Sequence, residues 1–387
     1  MPVGVSGFKK ERLIQARNAR GLTAASLSDL AGVSQSTVSL YEKGTHKPKQ
    51  ETLDKLERVL NVPPGFFLSA VPIRKPTRLF YRSMSAATKS SRLRAEARYE
   101  WALESVNYVL QFLDFPELNL PDFDIPDDFH KIDSMKLEFV ADQLRQYWSI
   151  GAGPVANMIR TLESNGIVVW RTSFEAETLD AFSEYREPHP VVVLASDKEN
   201  YFRSRFDAAH ELGHLVLHRH IDPKNLRKSS EFRLLENQAH HFAGAFLLPA
   251  VPYSKDLSVT SIDAFRSLKP RWKTSIGVQI KRCRQLGLID ENQEKRLWIN
   301  RSRRGWRIKE PLDDSTPTEK PNLISKSFRM LIEEGVRTKD QIAQDLSLVP
   351  TDIEKINDLP PGFISGGPTK AEPILKSSEA KVIPFRR

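Results

Sequence analysis

The sequence predicts a multidomain protein in which an all-α domain is followed by an α+β domain and a small helical C-terminal region. The chain has 387 residues, which exceeds the length of a typical single domain. Its first part alternates short apolar-periodic segments with glycines, a pattern typical of short helices. Its middle part places the apolar runs 168–170 and 191–194 between helical patterns, which predicts a small sheet.

Composition narrows the class of partner and the kind of metal site. The formal net charge of +9 and a pI near 9.4 favour a nucleic acid or another polyanion as partner. Because Cys283 is the only cysteine, any metal must be held by His and carboxylate groups, and no disulfide framework can form. The sequence has neither an apolar stretch of roughly eighteen residues nor the apolar core of an export signal. We therefore expect a cytoplasmic protein without a membrane partner.

Residues 8–68 are predicted to form four or five short helices. Thr23 and Ser34 stand at N-cap positions, where their oxygens can accept hydrogen bonds from free amides, and Gly32 follows the end of the intervening helical pattern. The segment 23–42 therefore predicts a helix-turn-helix. Its apolar residues are expected to lock the two helices together: Leu27, Leu30, Ala31, Val33, Val38 and Leu40.

The second of these helices carries side chains that suit the DNA major groove. The candidates for DNA contact are Gln35, Ser36, Thr37, Ser39 and Lys43. Gln can read adenine, and Ser or Thr can bind base edges or phosphate. The alternative interpretation is a small helical bundle used for protein contact. The run 21–48, GLTAASLSDLAGVSQSTVSLYEKGTHKP, resembles the Xre-type, phage-repressor-like helix-turn-helix. That resemblance implies DNA as a partner and a homodimer bound to paired half-sites.

Residues 69–130 are predicted to be a basic helical connector followed by a linker. The basic residues are Arg74, Lys75, Arg78, Arg82, Lys89, Arg92, Arg94 and Arg98. They are expected either to form a solvated helix face or to add phosphate contacts beside the helix-turn-helix. The segment 116–129, PELNLPDFDIPDDF, is rich in Pro and Asp and therefore predicts a linker and a domain boundary near 125–130.

The stretch 206–220, FDAAHELGHLVLHRH, predicts a catalytic metal centre. His210 and His214 lie one helical turn apart, so both imidazoles project from one face and can share one zinc ion. Glu211 lies between them and can take a proton from the attacking water. Catalytic zinc requires a third protein ligand, and Glu236 begins a second helical pattern that can pack on the first.

The run SRFDAAHELGHLVLH is followed by a second run, ENQAHHFAGAFLLP. In this order the two runs resemble the ImmA/IrrE family of metallo-endopeptidases. The resemblance implies a zincin-like domain over 131–312, with His210, His214 and Glu236 as zinc ligands and Glu211 as general base and acid. His240 stands where the family has Asn and is expected to support the site or to add a ligand. His218, one turn beyond His214, is expected to end the helix or to support the ligands, with contact to the metal or substrate as the alternative.

Together these patterns predict a DNA-binding transcriptional regulator and zinc-dependent endopeptidase, whose substrate is a repressor-like regulatory protein. The alternative is a transcription regulator whose peptidase-like domain is a non-catalytic sensor or binding module. The enzyme is favoured because the sequence keeps all four residues that this zinc chemistry needs, namely His210, Glu211, His214 and Glu236. Residues 320–364 are predicted to form a small helical module for protein contact, and residues 365–387 a disordered tail.

Overall fold

The computed structural model describes residues 4–71, 78–80, 88–173, 180–197, 200–221, 226 and 228–366, with only the backbone for 78–80. An all-α N-terminal unit precedes an α+β unit and further helices, which confirms the predicted fold class. No helix in these ranges is long and apolar enough to cross a membrane. The predicted tail from residue 367 onwards lies outside the described residues.

The N-terminal unit consists of four short helices and a 3-10 turn over Phe66–Leu68. The helices are α1 (Lys10–Ala19), α2 (Ala24–Ala31), α3 (Gln35–Lys43) and α4 (Gln50–Leu60). Thr23 and Ser34 cap α2 and α3 with their side chains, as predicted. Leu30 is 61% exposed, so the prediction that it joins the core is wrong. Leu27 and Ala31 lie one turn apart on the buried face of α2, and Leu30 falls on a neighbouring face.

The basic connector is in fact a packed helix, α5 (Lys89–Val109), which lies against α1. Tyr99 and Trp101 are fully buried on α5. The Arg98 guanidinium is turned inwards and donates to the carbonyls of Ala19 and Ser173. The prediction of a solvated or phosphate-binding basic face is therefore wrong for Arg98, because these carbonyls occupy its donors. Of the other predicted basic residues, Arg74, Lys75 and Arg82 lie outside the described residues, and Arg78 is described by its backbone alone.

A four-stranded sheet forms the centre of the α+β unit, with the strand order β1-β3-β4-β2. The strands are β1 (Arg78–Phe80), β2 (Val168–Thr172), β3 (Ala181–Tyr185) and β4 (Val191–Ala195). β2 and β4 pair in parallel, whereas β3 is antiparallel to both β4 and β1. The apolar runs predicted β2 and β4, while β1 and β3 were not predicted.

The sheet separates two hydrophobic cores, because alternate side chains of a strand point to opposite faces. Trp170 and Phe182 pack into the core that contains the N-terminal helices and α5. Val169 and Val192 pack on the other face, against the helices that carry the candidate metal site. The helices of this second side are α6 (Ser134–Tyr147), α7 (Met158–Ser164), α8 (Tyr201–Leu217) and α9 (Ser229–Leu247).

Seven further helices follow α9 between residues 248 and 366. They are α10 (Ala250–Asp256), α11 (Ile262–Trp272), α12 (Ile276–Gln285), α13 (Glu291–Arg303), α14 (Leu323–Glu333), α15 (Lys339–Leu346) and α16 (Pro350–Ile356). The last three share the first core with the N-terminal unit. Trp170 donates to the Ile356 carbonyl, and Arg20, which follows the end of α1, forms an ion pair with Asp352 on α16. The predicted C-terminal helices are therefore present and packed on the body of the protein.

The same helix-turn-helix corner occurs three times in the described ranges, at α2–α3, α11–α12 and α15–α16. In each corner the first helix ends at a left-handed residue: Gly32, Lys273 or Ser347, with φ of 64°, 53° and 51°. Two residues later an extended N-cap begins the second helix: Ser34, Ser275 or Val349. A three-residue turn of this kind brings two short helices into contact.

Candidate functional site

Three side chains on α8 and α9 converge on one point in the second core. His210 and His214 lie one turn apart on α8, which places both rings on the face that meets α9. Their Nε2 atoms are 3.1 Å apart. The Glu236 carboxylate on α9 lies 3.4 Å from Nε2 of His210 and 3.5 Å from Nε2 of His214. These three residues form a group of mutually close potential ligands, as the sequence predicted.

The donor set fits a zinc ion. Bonds of about 2.0–2.1 Å in tetrahedral geometry place neighbouring ligand atoms about 3.3 Å apart, close to the separations found here. Burial would raise the pKa of Glu236, but the two histidine rings lower it well below its usual range. Burial lowers the pKa of His214, which favours the neutral ring that a metal requires.

His214 is oriented by a series of hydrogen bonds behind the three candidate ligands. Its Nδ1 lies 3.0 Å from Nδ1 of His218, and Nε2 of His218 lies 3.0 Å from Oε1 of Gln238. The Gln238 amide nitrogen donates to the carbonyls of Phe129 and Ile132, at 2.7 and 3.1 Å. His218 is fully buried, and burial keeps its pKa well below the usual value. The neutral His218 ring therefore supports His214 from behind and is not one of the three close ligands.

Glu211 is held by the central sheet. It is buried on α8, and its Oε2 accepts a hydrogen bond of 2.6 Å from the Ser183 hydroxyl on β3. Burial raises the pKa of Glu211 to about 7, against the opposing effects of His210 and Ser183. Because the carboxylate is fixed beside the ligands and is not one of them, it is free to exchange a proton.

A cavity of about 300 Å³ gives access to this group. It is lined by Asp180, Ala181, Arg203, Phe206, Asp207, His210, Glu211, His214, Glu236 and His240. Arg203 pairs with Asp180 at 2.6 Å. His240 Nδ1 lies 2.7 Å from the Glu236 carbonyl oxygen, and its ring centroid is 4.4 Å from that of His210. His240 therefore lines the cavity and lies outside the group of three close ligand atoms.

The predicted DNA-contacting residues lie on the accessible face of α3. Gln35, Ser36 and Lys43 are exposed, and Thr37 and Ser39 are half-buried. The Ser34 hydroxyl accepts from the Thr37 amide, so it fixes the start of the helix.

The two other corners present different surfaces. The Glu310 carboxylate covers the start of α12 and accepts from the amides of Ile276 and Gly277. The start of α16 is occupied by contacts within the protein, because Asp352 pairs with Arg20 and buried Glu354 accepts from the amides of Gly362 and Ile364. Of the three corners in the described ranges, α2–α3 is the one whose second helix is free to enter a DNA groove.

Two residues of the site were not found from the sequence. Ser183 belongs to β3, whose role depends on pairing with β4 and on its contact with α8. The aromatic residues Phe182 and Tyr185, a type enriched in strands, are the signal that could have indicated a strand. Gln238 follows Glu236 by two residues, and its contact with His218 becomes apparent only once α8 and α9 are packed together.

Two comparisons agree with these observations. Residues 13–67 match the family model described as helix-turn-helix, and residues 162–284 match that of the IrrE N-terminal-like domain. No curated protein matches the chain. The first match spans the α2–α3 corner, and the second spans the sheet strands β2 to β4 together with α8 and α9. The chain thus joins an Xre-type helix-turn-helix domain at its N-terminus to an ImmA/IrrE-like peptidase-family domain.

Proposed function

We propose that this protein is a DNA-binding transcriptional regulator that hydrolyses peptide bonds with a zinc centre held by His210, His214 and Glu236. The observation that carries the proposal is the convergence of these ligands beside Glu211, which Ser183 holds in place. A bound zinc ion would supply Lewis acidity and would make water more acidic at this position.

The residues of the chain account for the remaining steps. Glu211 accepts the proton of the attacking water, since its carboxylate lies beside the ligand group and its second oxygen is anchored by Ser183. The same carboxyl group then delivers the proton to the departing amine, so that it returns to its starting state. The hydrogen bonds behind His214 keep its Nε2 directed at Glu236 and His210.

A repressor-like regulatory protein is the proposed substrate. The helix-turn-helix match supports this choice, because a peptidase fused to a DNA-binding unit can be brought to the promoter that its substrate occupies. The cavity of about 300 Å³ lies at the small end of ligand-binding pockets, which suits a short stretch of an extended chain. The DNA-binding unit is proposed to act as a homodimer on paired half-sites.

The experiment that tests the enzyme compares metal content and cleavage in matched variants. Wild-type protein is expected to bind about one zinc per chain. His210→Ala and Glu236→Ala should lose that zinc, whereas His220→Ala, an exposed histidine outside the ligand group, should keep it. Unchanged metal content in both ligand variants would show that the site is assigned incorrectly.

Glu211→Gln separates metal binding from catalysis, because it removes the proton acceptor and keeps the shape. Zinc content should persist while cleavage of a co-encoded repressor-like protein stops. If wild type binds zinc but leaves that protein intact under every condition that supports DNA binding, the non-catalytic alternative replaces the enzyme.

A further inference from the structure

The segment 295–309, which covers most of α13 and the turn after it, concentrates positive charge. It contains seven of the chain's 58 lysines and arginines and none of its 49 acidic residues. Removal of this segment alone would lower the net charge from +9 to +2. It lies outside the candidate metal site and the helix-turn-helix, and neither proposed activity uses it.

Local ion pairs neutralise only part of this charge. The pairs are Lys295 with Glu291, Arg301 with Glu310, Arg304 with Asp263 and Lys309 with Asp314. Arg296, Arg303 and Arg307 are exposed and have no ion-pair partner within the described ranges. We call these three residues the α13 arginine surface.

Two of the three arginines share one face of α13, and Arg307 follows four residues after the helix ends. Arg296 and Arg303 are seven residues apart, so they project from one face of α13 about 10 Å apart along its axis. Exposed Ile299 lies between them.

Two tryptophans of the segment, Trp298 and Trp306, pack against the second hydrophobic core. Lys281 and Arg301 lie over the ring of Trp298, and Arg266 and Arg304 lie over that of Trp306. The backbone that carries the arginines is therefore fixed by packing.

We propose that the α13 arginine surface binds the phosphate backbone of duplex DNA, as a contact separate from α3. Arginine presents several N–H donors in one plane, which suits two oxygens of a phosphate group. The separation of about 10 Å between Arg296 and Arg303 is similar to the distance over which exposed charges interact at about 0.1 M salt. Contacts to phosphate carry no information about the base sequence, so we expect this contact to be the same on every duplex sequence. The choice of DNA over an acidic protein rests on the proposed DNA binding by the N-terminal unit.

The test uses the full chain and a fluorescent duplex of random sequence, with affinity measured between 50 and 200 mM salt. The triple variant Arg296→Gln, Arg303→Gln, Arg307→Gln should flatten the slope of log affinity against log salt by about 2–3, since about 0.9 is lost per phosphate contact. The corresponding Arg→Lys triple should keep most of the slope. A control that removes three exposed lysines elsewhere, Lys131→Gln, Lys255→Gln and Lys326→Gln, should keep the wild-type slope.

Equal slopes for the two Gln triples would overturn the inference, because the effect would then come from net charge alone. Gln35→Ala distinguishes this outcome from failure of the proposed regulator. If Gln35→Ala leaves site preference unchanged while the arginine triple flattens the slope, the reading role of α3 fails and the α13 contact stands. If Gln35→Ala weakens the preferred site while both Gln triples behave alike, the α13 contact fails alone.

Discussion

Nδ1 of His214 and Nδ1 of His218 lie 3.0 Å apart, so one of the two nitrogens must carry the shared proton. Gln238 decides which one. Its amide nitrogen is engaged by two carbonyls, so its oxygen faces His218 and requires a donor there. His218 therefore carries its proton on Nε2 and accepts at Nδ1. His214 donates from Nδ1, which leaves the lone pair of its Nε2 directed at His210 and Glu236.

Removal of the His218 acceptor should weaken metal binding without removing a ligand. His218→Phe keeps an aromatic ring of similar size in the buried position but cannot accept from His214. We expect zinc affinity to fall about 10- to 100-fold, as is typical when the partner of a ligating histidine is lost. Competition with a chromophoric chelator measures the change.

Gln238→Leu tests the same series of hydrogen bonds from its other end and should also weaken zinc binding. His220→Phe, at an exposed histidine, is the matched control and should leave affinity unchanged. If both His218→Phe and Gln238→Leu keep wild-type zinc affinity and thermal stability, these hydrogen bonds do not orient His214.

Ser183→Ala should slow peptide hydrolysis while zinc content stays at the wild-type level. The hydroxyl donates to Glu211 at 2.6 Å and fixes the carboxylate beside the ligands. Without it we expect kcat to fall about tenfold, a fraction of the effect that general base catalysis contributes. Ser183→Thr restores the donor and should recover part of the rate. A Ser183→Ala enzyme with unchanged kcat would remove Ser183 from the positioning role.

The proximity of His210 and His214 could be predicted from the sequence because their geometry is local. The spacing of His210 and His214 within one helix already fixes their common face. Ser183 depends on the register of β3 against β4, which no short segment encodes. α5 was misjudged for a related reason: its arginines dominate the sequence pattern, whereas Tyr99 and Trp101 are buried between units far apart in the chain.

Gln35→Ala should weaken binding to the preferred DNA site by about 1–3 kcal/mol, because its amide is exposed at the start of α3 and can read an adenine. Lys43→Gln should weaken binding to all sequences alike and lower the salt slope by about 1. Binding to the preferred site and to a scrambled duplex, measured by fluorescence anisotropy, separates the two effects. Equal losses on both duplexes for Gln35→Ala would assign that residue to phosphate contact.

An ion pair that joins three helices should make stability depend on pH. Glu138 on α6 accepts two hydrogen bonds from fully buried Arg282 on α12 and lies 2.8 Å from Nε2 of His241 on α9. Burial would raise the pKa of Glu138, but Arg282 and His241 lower it to about 2. A carboxyl group whose pKa is lower in the folded state stabilises the fold above its usual pKa. That stabilisation is lost as the pH falls towards 2.

Glu138→Gln should therefore lower the free energy of unfolding at pH 7 by about 2–3 kcal/mol, because Arg282 is left buried without its counter-charge while Glu138 itself is partly exposed. Urea unfolding at a series of pH values should show this difference shrinking below about pH 4, because Glu138 of the unfolded wild-type chain then takes up a proton while Glu138 of the folded chain stays ionised down to about pH 2. Glu291→Gln is the matched control, since its pair with Lys295 is exposed on both sides and should change stability little at any pH. A Glu138→Gln effect that stays constant from pH 7 to pH 3 would mean that shape and hydrogen bonding, rather than the charge of Glu138, hold α6 and α12 together.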